Sequence, residues 1–394
     1  MAAVDIMDAQ SDLELKFQND QKVLEGLDGQ LFLANDTNHC LQQHIGQVLM
    51  SPETVAEWQA LYRRRLDFFD HHGISFFTLA VPTKESIYDD FLTPEFSPKA
   101  TYRTQHQFID AIAGLGRHRI IVLEDELIRA RQVRDTFIKT DVHWNEWGAY
   151  VGYLTLMEVL RQDLPAETHV FARPSLSEDE IDFREVNFTR GLGIKLSPPH
   201  QCLQWISRLK QPRARIVYYN RIPRNGMRVS LENPAMRDAP RLMMFGNSFG
   251  PYMLKFLAEH FSRVDFIFSY NIDFNYVARR KPDIVIYQSV ERYLVSCPTD
   301  TTSLIATEAA KLRQIPQNQV EIYQKQGAAN IATGEPDAYF TQALLLLRLK
   351  RYSDAFAMYQ IALQLNDNPD YHRWFAEFYA LAEGAETTLT VKRI

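Results

Sequence analysis

Two short segments of this chain combine residue types that can move an acyl group: "RLMMFGNSFGPYMLKFL", which carries Ser248, and "KTDVHWNEWGAY", which carries Asp141 and His143. Ser248 follows an apolar run and precedes a helical pattern. A hydroxyl at such a strand-to-helix turn sits at the carboxyl edge of a sheet, where the first free N–H groups of the helix can hold a developing negative charge. An acyl-transfer nucleophile needs that setting, and it needs a base. In the second segment the Asp141 carboxylate can reach one imidazole nitrogen of His143 and fix its tautomer, while the opposite nitrogen faces outward. Trp144 and Trp147 stand beside the pair as candidate walls of a substrate groove. Taken singly, each segment has a plainer account: Ser248 as a helix N-cap, or Asp141 as a cap with His143 merely packed. Taken together they form an expected triad of Ser248, His143 and Asp141, because the serine has no base nearby in sequence and the Asp-x-His pair lies at the end of a different strand-to-helix segment of the same sheet.

Such a triad requires a sheet to hold it. "QLFLAND" is a short apolar run stopped by Asn35 and Asp36, the segment from Pro52 to Gly73 has helical spacing, and "ISFFTLAVP" reads as a strand buried on both faces. The alternation continues through helix "ATYRTQHQFIDAIAGLG", strand "RIIVLE", helix "EWGAYVGYLTLMEVLRQDL", strand "RLMMFG", helix "FGPYMLKFLAEHF" and strands "VDFIFS" and "PDIVIYQSV". Strands followed by helices favour an α/β fold with a doubly wound parallel sheet. Between about 165 and 235 the pattern breaks into short polar pieces, expected to be an insertion bordering one end of the sheet. Past about 300 the strand patterns stop. Tyr339, Ala343, Tyr352, Ala355, Tyr359 and Ala362 resemble the aromatic and small positions of a tetratricopeptide repeat, and "YHRWFAEFYALAE" supplies a third, capping helix. Those helices read either as a plain appendage packed on the main domain or as a site for a protein partner. The expected organisation is an N-terminal arm over 1–25, a main domain over 26–300 and a helical, tetratricopeptide-like region over 301–394.

Composition narrows the function classes. The 394 residues are 46% hydrophobic and 23% charged, enough to bury a core and too apolar for a disordered chain. A net charge of −6 gives no global pull toward nucleic acid or an anionic membrane surface. Cys40, Cys202 and Cys297 are far apart and lack CxxC spacing, so neither a disulfide framework nor a metal site is expected. There is no Gly-rich phosphate loop or dinucleotide fingerprint; no bound cofactor is expected, and an acetyl donor such as acetyl-CoA would enter as a substrate. The apolar runs fall short of the ~20 residues that span a bilayer. The opening "MAAVDIMDAQSDLELKF" places acidic residues where an export signal carries basic ones, which gives the expectation of a cytoplasmic protein.

The pair "TDVHWN" and, far downstream, "GNSFG" resembles the alginate O-acetyltransferase branch of the SGNH hydrolases, the AlgX/AlgJ type. "LFLANDTN" resembles that family's opening strand, "AVPTKESIYDDFL" its "P-x-K" segment and "KPDIVIYQSVERYL" its late strand, so the resemblance covers about residues 28–295. Its most specific feature is Asp-x-His ahead of the serine, since common GDSL esterases have the serine first. The resemblance implies serine-mediated acetyl transfer to a carbohydrate hydroxyl, with Ser248 acylated, His143 as acid and base, and Asp141 as its orienting partner. Alternatives with the same residues are a carbohydrate acetylesterase, and a catalytically idle glycan-binding scaffold whose helical tail recruits a partner.

Two motif departures bear on the oxyanion site. "GNS" stands where the family reads "GDS", placing Asn247 before the serine, and the "GxND" block has no match. The Ser248 N–H is the expected oxyanion donor. Asn247, Asn271, Gln288 and Arg292 are further candidates for oxyanion or substrate contacts. Glu291 beside Arg292 also reads as a structural salt bridge.

Overall fold

The computed structural model describes residues 23–34, 38–116, 119–164, 173–188 and 202–383. Of the arm expected over 1–25, only Val23–Glu25 (β1) falls within them, paired antiparallel with Leu31–Leu33 (β2). Asn35, Asp36 and, in the expected insertion, residues 165–172 and 189–201 lie outside the described residues. Along the chain, Ser75–Val81 (β3) and Ile120–Val122 (β4) precede a separate antiparallel hairpin of Ile181–Phe188 (β5) and Cys202–Leu209 (β6). Arg215–Tyr219 (β7), Arg228–Glu232 (β8), Arg241–Gly246 (β9), Arg263–Phe268 (β10) and Ile284–Val290 (β11) follow.

Seven of these strands form the central sheet in the order β4-β3-β11-β9-β10-β8-β7. The pairings β3–β4, β3–β11, β11–β9 and β9–β10 are parallel, and β8 and β7 extend the sheet antiparallel. The architecture is thus α/β with a mostly parallel sheet, as the strand–helix alternation predicts. Part of the segment expected to be an insertion supplies β7 and β8, five residues each and set among polar, proline-containing pieces.

Alternate residues of each parallel strand enter opposite cores, which is why these strands read as unbroken apolar runs. Leu79, Val81, Met244 and Ile286 pack on one face; Phe76, Met243, Phe245 and Val285 pack on the other. The helices Pro52–His71 (α1) and Thr104–Gly116 (α2) cover the second face with Trp58, Leu61, Tyr62, Phe108 and Ile112. Glu146–Asp163 (α3) covers the first with Tyr150, Tyr153, Leu156 and Leu160. The expected helix "FGPYMLKFLAEHF" is shorter than its apolar pattern: a 3-10 turn at Gly250–Met253 and one α-turn at Leu254–Leu257.

The C-terminal part is helical, through Leu304–Gln314 (α4), Val320–Ala328 (α5), Pro336–Arg348 (α6), Tyr352–Leu365 (α7) and Pro369–Ala382 (α8). It has its own core, in which Ala343, Ala355 and Ala362 are fully buried. Its junction with the sheet includes buried ion pairs. Arg228 on β8 is 2% exposed and donates to Glu308 on α4 and Asp337 on α6, while the Tyr371 hydroxyl on α8 also donates to Asp337.

Candidate active site

The carboxyl ends of the parallel strands share one rim, and the residues with chemical potential gather there. β9 delivers Ser248 through a tight turn. A Cβ on Gly246 would stand 2.6 Å from Gln288 Oε1 on β11, so only glycine lets the two strand ends approach this closely. Gln288 Oε1 accepts the Asn247 N–H at 3.0 Å, Asn247 Oδ1 accepts the Phe249 N–H at 3.2 Å, and Gly250 N–H donates to Asn247 O at 3.0 Å. Ser248 is left half-buried at the apex. It caps no helix: the 3-10 turn that follows has Phe249 at its N-cap position and no side-chain cap.

The second half comes from the loop before α3. Asn145 caps that helix, its Oδ1 accepting the Trp147 and Gly148 N–H groups at 3.0 Å each, while its own Nδ2 donates to Asp135 O at 2.6 Å. Asp141 is therefore released from the capping role that its position allowed. Ile138 N–H donates to His143 O at 3.0 Å and Asn145 N–H to Thr136 O at 3.0 Å, closing the loop on itself. Trp144 Nε1 donates to Phe249 O at 3.1 Å and ties this loop to the serine turn.

Within this frame Asp141 Oδ1 lies 2.7 Å from His143 Nδ1 and also accepts the His143 main-chain N–H at 3.0 Å. His143 Nε2 lies 2.7 Å from Ser248 Oγ. A carboxylate on Nδ1 assigns the proton to that nitrogen and leaves Nε2 to accept from the serine hydroxyl. Burial works to raise the Asp141 pKa, but the charge of His143, hydrogen bonds from its ring and main chain, and the Lys84 cation outweigh it; the carboxyl is held below its ordinary value. The imidazole is walled by Phe249, with ring centroids 5.0 Å apart, and by Tyr252 at 6.2 Å and nearly parallel.

Other expected site residues have different places. Trp144 and Trp147 are 0% and 6% exposed and line no groove: Trp144 packs into the core below the serine turn, and Trp147 packs on Tyr150 and Phe183. Phe249 and Tyr252 flank His143 in their stead. Asn271 Oδ1 accepts the N–H groups of Thr299 and Asp300 at 3.0 and 2.9 Å, clamping a loop of its own. Gln288 and Asn247 brace the serine turn through their oxygens, and their buried amide nitrogens, Nε2 and Nδ2, have no hydrogen-bond partner among the described residues. Arg292 is buried with its guanidinium 4.7 Å from the Tyr293 ring centroid and Nη2 3.2 Å from the Tyr293 hydroxyl. The Glu291–Arg292 salt bridge is not formed. Neighbours in a 3-10 turn point apart, and Glu291 instead binds Arg103 Nε at 2.8 Å and the Ser86 hydroxyl at 3.0 Å. Among the described residues no group of three or more His, Cys, Asp or Glu side chains is placed to hold a metal ion, and no helix is long and apolar enough to cross a membrane.

Residues 23–186 match the family model described as the SGNH hydrolase-like domain of the acetyltransferase AlgX. That stretch holds Asp141 and His143 and ends before Ser248. No curated protein sequence matches the chain. Among solved structures, PatB1 of Bacillus cereus superposes with a TM-score of 0.50 at 12% identity, over 70% of this chain and 97% of that one. The O-acetyltransferase domain of Pseudomonas putida AlgJ gives 0.45 at 16% identity, over 72% and 96%. Pseudomonas aeruginosa AlgX gives 0.41 at 18% identity, over 71% and 66%. The PatB1 likeness is one of fold.

Proposed function

We propose that this chain, whose residues 23–186 match the family model of the SGNH hydrolase-like domain of the acetyltransferase AlgX, is a serine-dependent O-acetyltransferase acting on a carbohydrate hydroxyl. The observation that carries the reading is the continuous relay Asp141–His143–Ser248, with both links at 2.7 Å, assembled at the carboxyl rim of the sheet. In the first half-reaction Ser248 Oγ attacks the carbonyl carbon of an acetyl donor while His143 Nε2 takes the hydroxyl proton. Among the described residues the Ser248 main-chain N–H donates to no acceptor, which leaves it available for the oxyanion of the tetrahedral intermediate. Collapse breaks the bond to the donor's leaving group, which receives the proton from His143, and an acetyl-serine ester remains. In the second half-reaction His143 accepts the proton of a sugar hydroxyl as its oxygen attacks the ester. Return of that proton to Ser248 Oγ releases the acetylated sugar. Asp141 stays ionised throughout and stabilises the imidazolium formed in each half.

Ser248→Ala tests the nucleophile. With an activated acetyl ester, turnover is expected to fall by at least ~10³-fold and the acetyl adduct seen in intact-mass spectra to vanish. Turnover equal to wild type would reject the assignment. Supplying candidate glycans and asking whether acetate or acetylated glycan accumulates separates transfer from hydrolysis.

A further inference from the structure

Lys84 follows β3 in "PTKES", and its side chain is turned inward, 1% exposed. Its Nζ lies 2.9 Å from Leu31 O, 2.8 Å from Ile138 O, 2.7 Å from Lys139 O and 3.2 Å from Asp141 O. These carbonyls belong to two separate segments: β2, and the loop that presents Asp141 and His143. The same two segments are stitched by Leu31 N–H donating to Lys139 O at 2.9 Å. The rings of Phe32 and Tyr88 stand 5.2 and 6.0 Å from the ammonium.

Burying an ammonium is costly unless acceptors replace its water. Four carbonyl dipoles do so here, and a neutral side chain at this position would remove the one donor that joins all four. The consequence reaches the relay by a short lever. The carbonyl of Asp141 is gripped directly, and His143, two residues on, must place Nε2 within hydrogen-bond reach of Ser248. Against His143 stand the Asp141 carboxylate from its own loop and, from the β9 side, the Ser248 hydroxyl and the Phe249 and Tyr252 rings, while the Lys84 ammonium, at the start of the short helix Lys84–Ile87, lies against the Asp141 carbonyl.

We infer that Lys84 is a positioning residue: its ammonium fixes the Asp141–His143 loop against β2 at the height from which the imidazole meets the serine. The inference rests on the role proposed for that relay.

Wild-type protein treated with an amine-acetylating succinimidyl ester and mapped by peptide mass spectrometry should keep Lys84 unmodified. Lys325, with a side chain 71% exposed, should label readily. Labelling of both at one rate would overturn the proposal, whether or not the protein turns over any substrate. Lys84→Met should lower kcat on an activated acetyl ester by about 10²-fold with KM little changed, the effect of a catalytic group displaced by roughly 1 Å. It should also move the acid limb of kcat/KM to higher pH, because loss of a nearby cation favours the imidazolium. Lys84→Arg keeps the charge and should return the limb to its wild-type position, and it serves if the methionine variant does not fold. A downfield His143 Nδ1 proton resonance is expected in wild type from its 2.7 Å bond to Asp141 and should be lost in Lys84→Met. A variant that merely melts earlier, with kcat, acid limb and that resonance unmoved, would overturn the proposal. Failure of the nucleophile assignment reads differently, as an active Ser248→Ala protein with the Lys84 results intact.

Discussion

The His143 imidazole is engaged on both nitrogens, and this fixes how the site answers to pH. Only the neutral ring can take the serine proton, so kcat/KM should fall on the acid side as the imidazole protonates. Asp141, held below its ordinary value, stays ionised over that range, and the limb should have the slope of a single proton in initial-rate measurements. Asp141 also contributes stability that is present above its unfolded pKa and lost as pH falls through the lower folded one. A second histidine acts on stability alone. Burial, aided by Arg173 and Arg161, pushes His260 from 6.5 down to about 3, and its Nε2 lies 2.6 Å from the Tyr153 hydroxyl. Between those values the unfolded chain binds a proton that the folded protein refuses, so the melting temperature should drop as pH falls from 6.5 toward 3. His260→Gln should flatten that slope in thermal melts across the same buffers. Asp141 and His143 are legible in the sequence because their partnership is local, two residues apart in a turn. The Lys84 clamp is not, because its acceptors are main-chain carbonyls that any residue type supplies.

Single contacts at element ends decide how precisely the two halves meet. Asn145→Ala removes the acceptor of two N–H groups at the start of α3 and the tie to Asp135. Loss of such a cap costs ~0.5–2 kcal/mol. Because the same residue borders the His143 loop, kcat should fall along with the melting temperature, which thermal melts and ester assays on one preparation would check. Gly246→Ala forces a Cβ to 2.6 Å from Gln288 Oε1, whose place is set by the Asn247 N–H. Crowding of this kind costs ~1–3 kcal/mol, and here it should also tilt the serine turn and depress acylation of Ser248 followed by mass. β9 and α3 are legible from sequence, since an unbroken apolar run and a 3.6-residue stripe admit few alternatives. β7 and β8 are not: "RIVYY" and "RVSLE" are short, and their place in the sheet is set by the pairing of β8 with β10 and of β7 with β8 rather than by their own pattern.

At the scale of the whole molecule, the sheet and the C-terminal helices meet through buried charge. Arg228 is flanked by Glu308 and Asp337, and Arg280 on the sheet side reaches Glu335 at 2.7 Å. Breaking a buried pair from one side leaves the other charge without compensation, at a cost of about 3–5 kcal/mol. Arg228→Ala should therefore lower the denaturation midpoint markedly and expose the helices to proteolysis first, which limited digestion at several temperatures would reveal. The boundary near residue 300 is legible in sequence as the point where strand patterns stop, but the fastening is not, because its members are scattered from 228 to 371. A shortened gene ending after β11 would therefore strand a guanidinium on β8 without its two carboxylates, so any trimmed expression variant must recode that strand before it can stand alone.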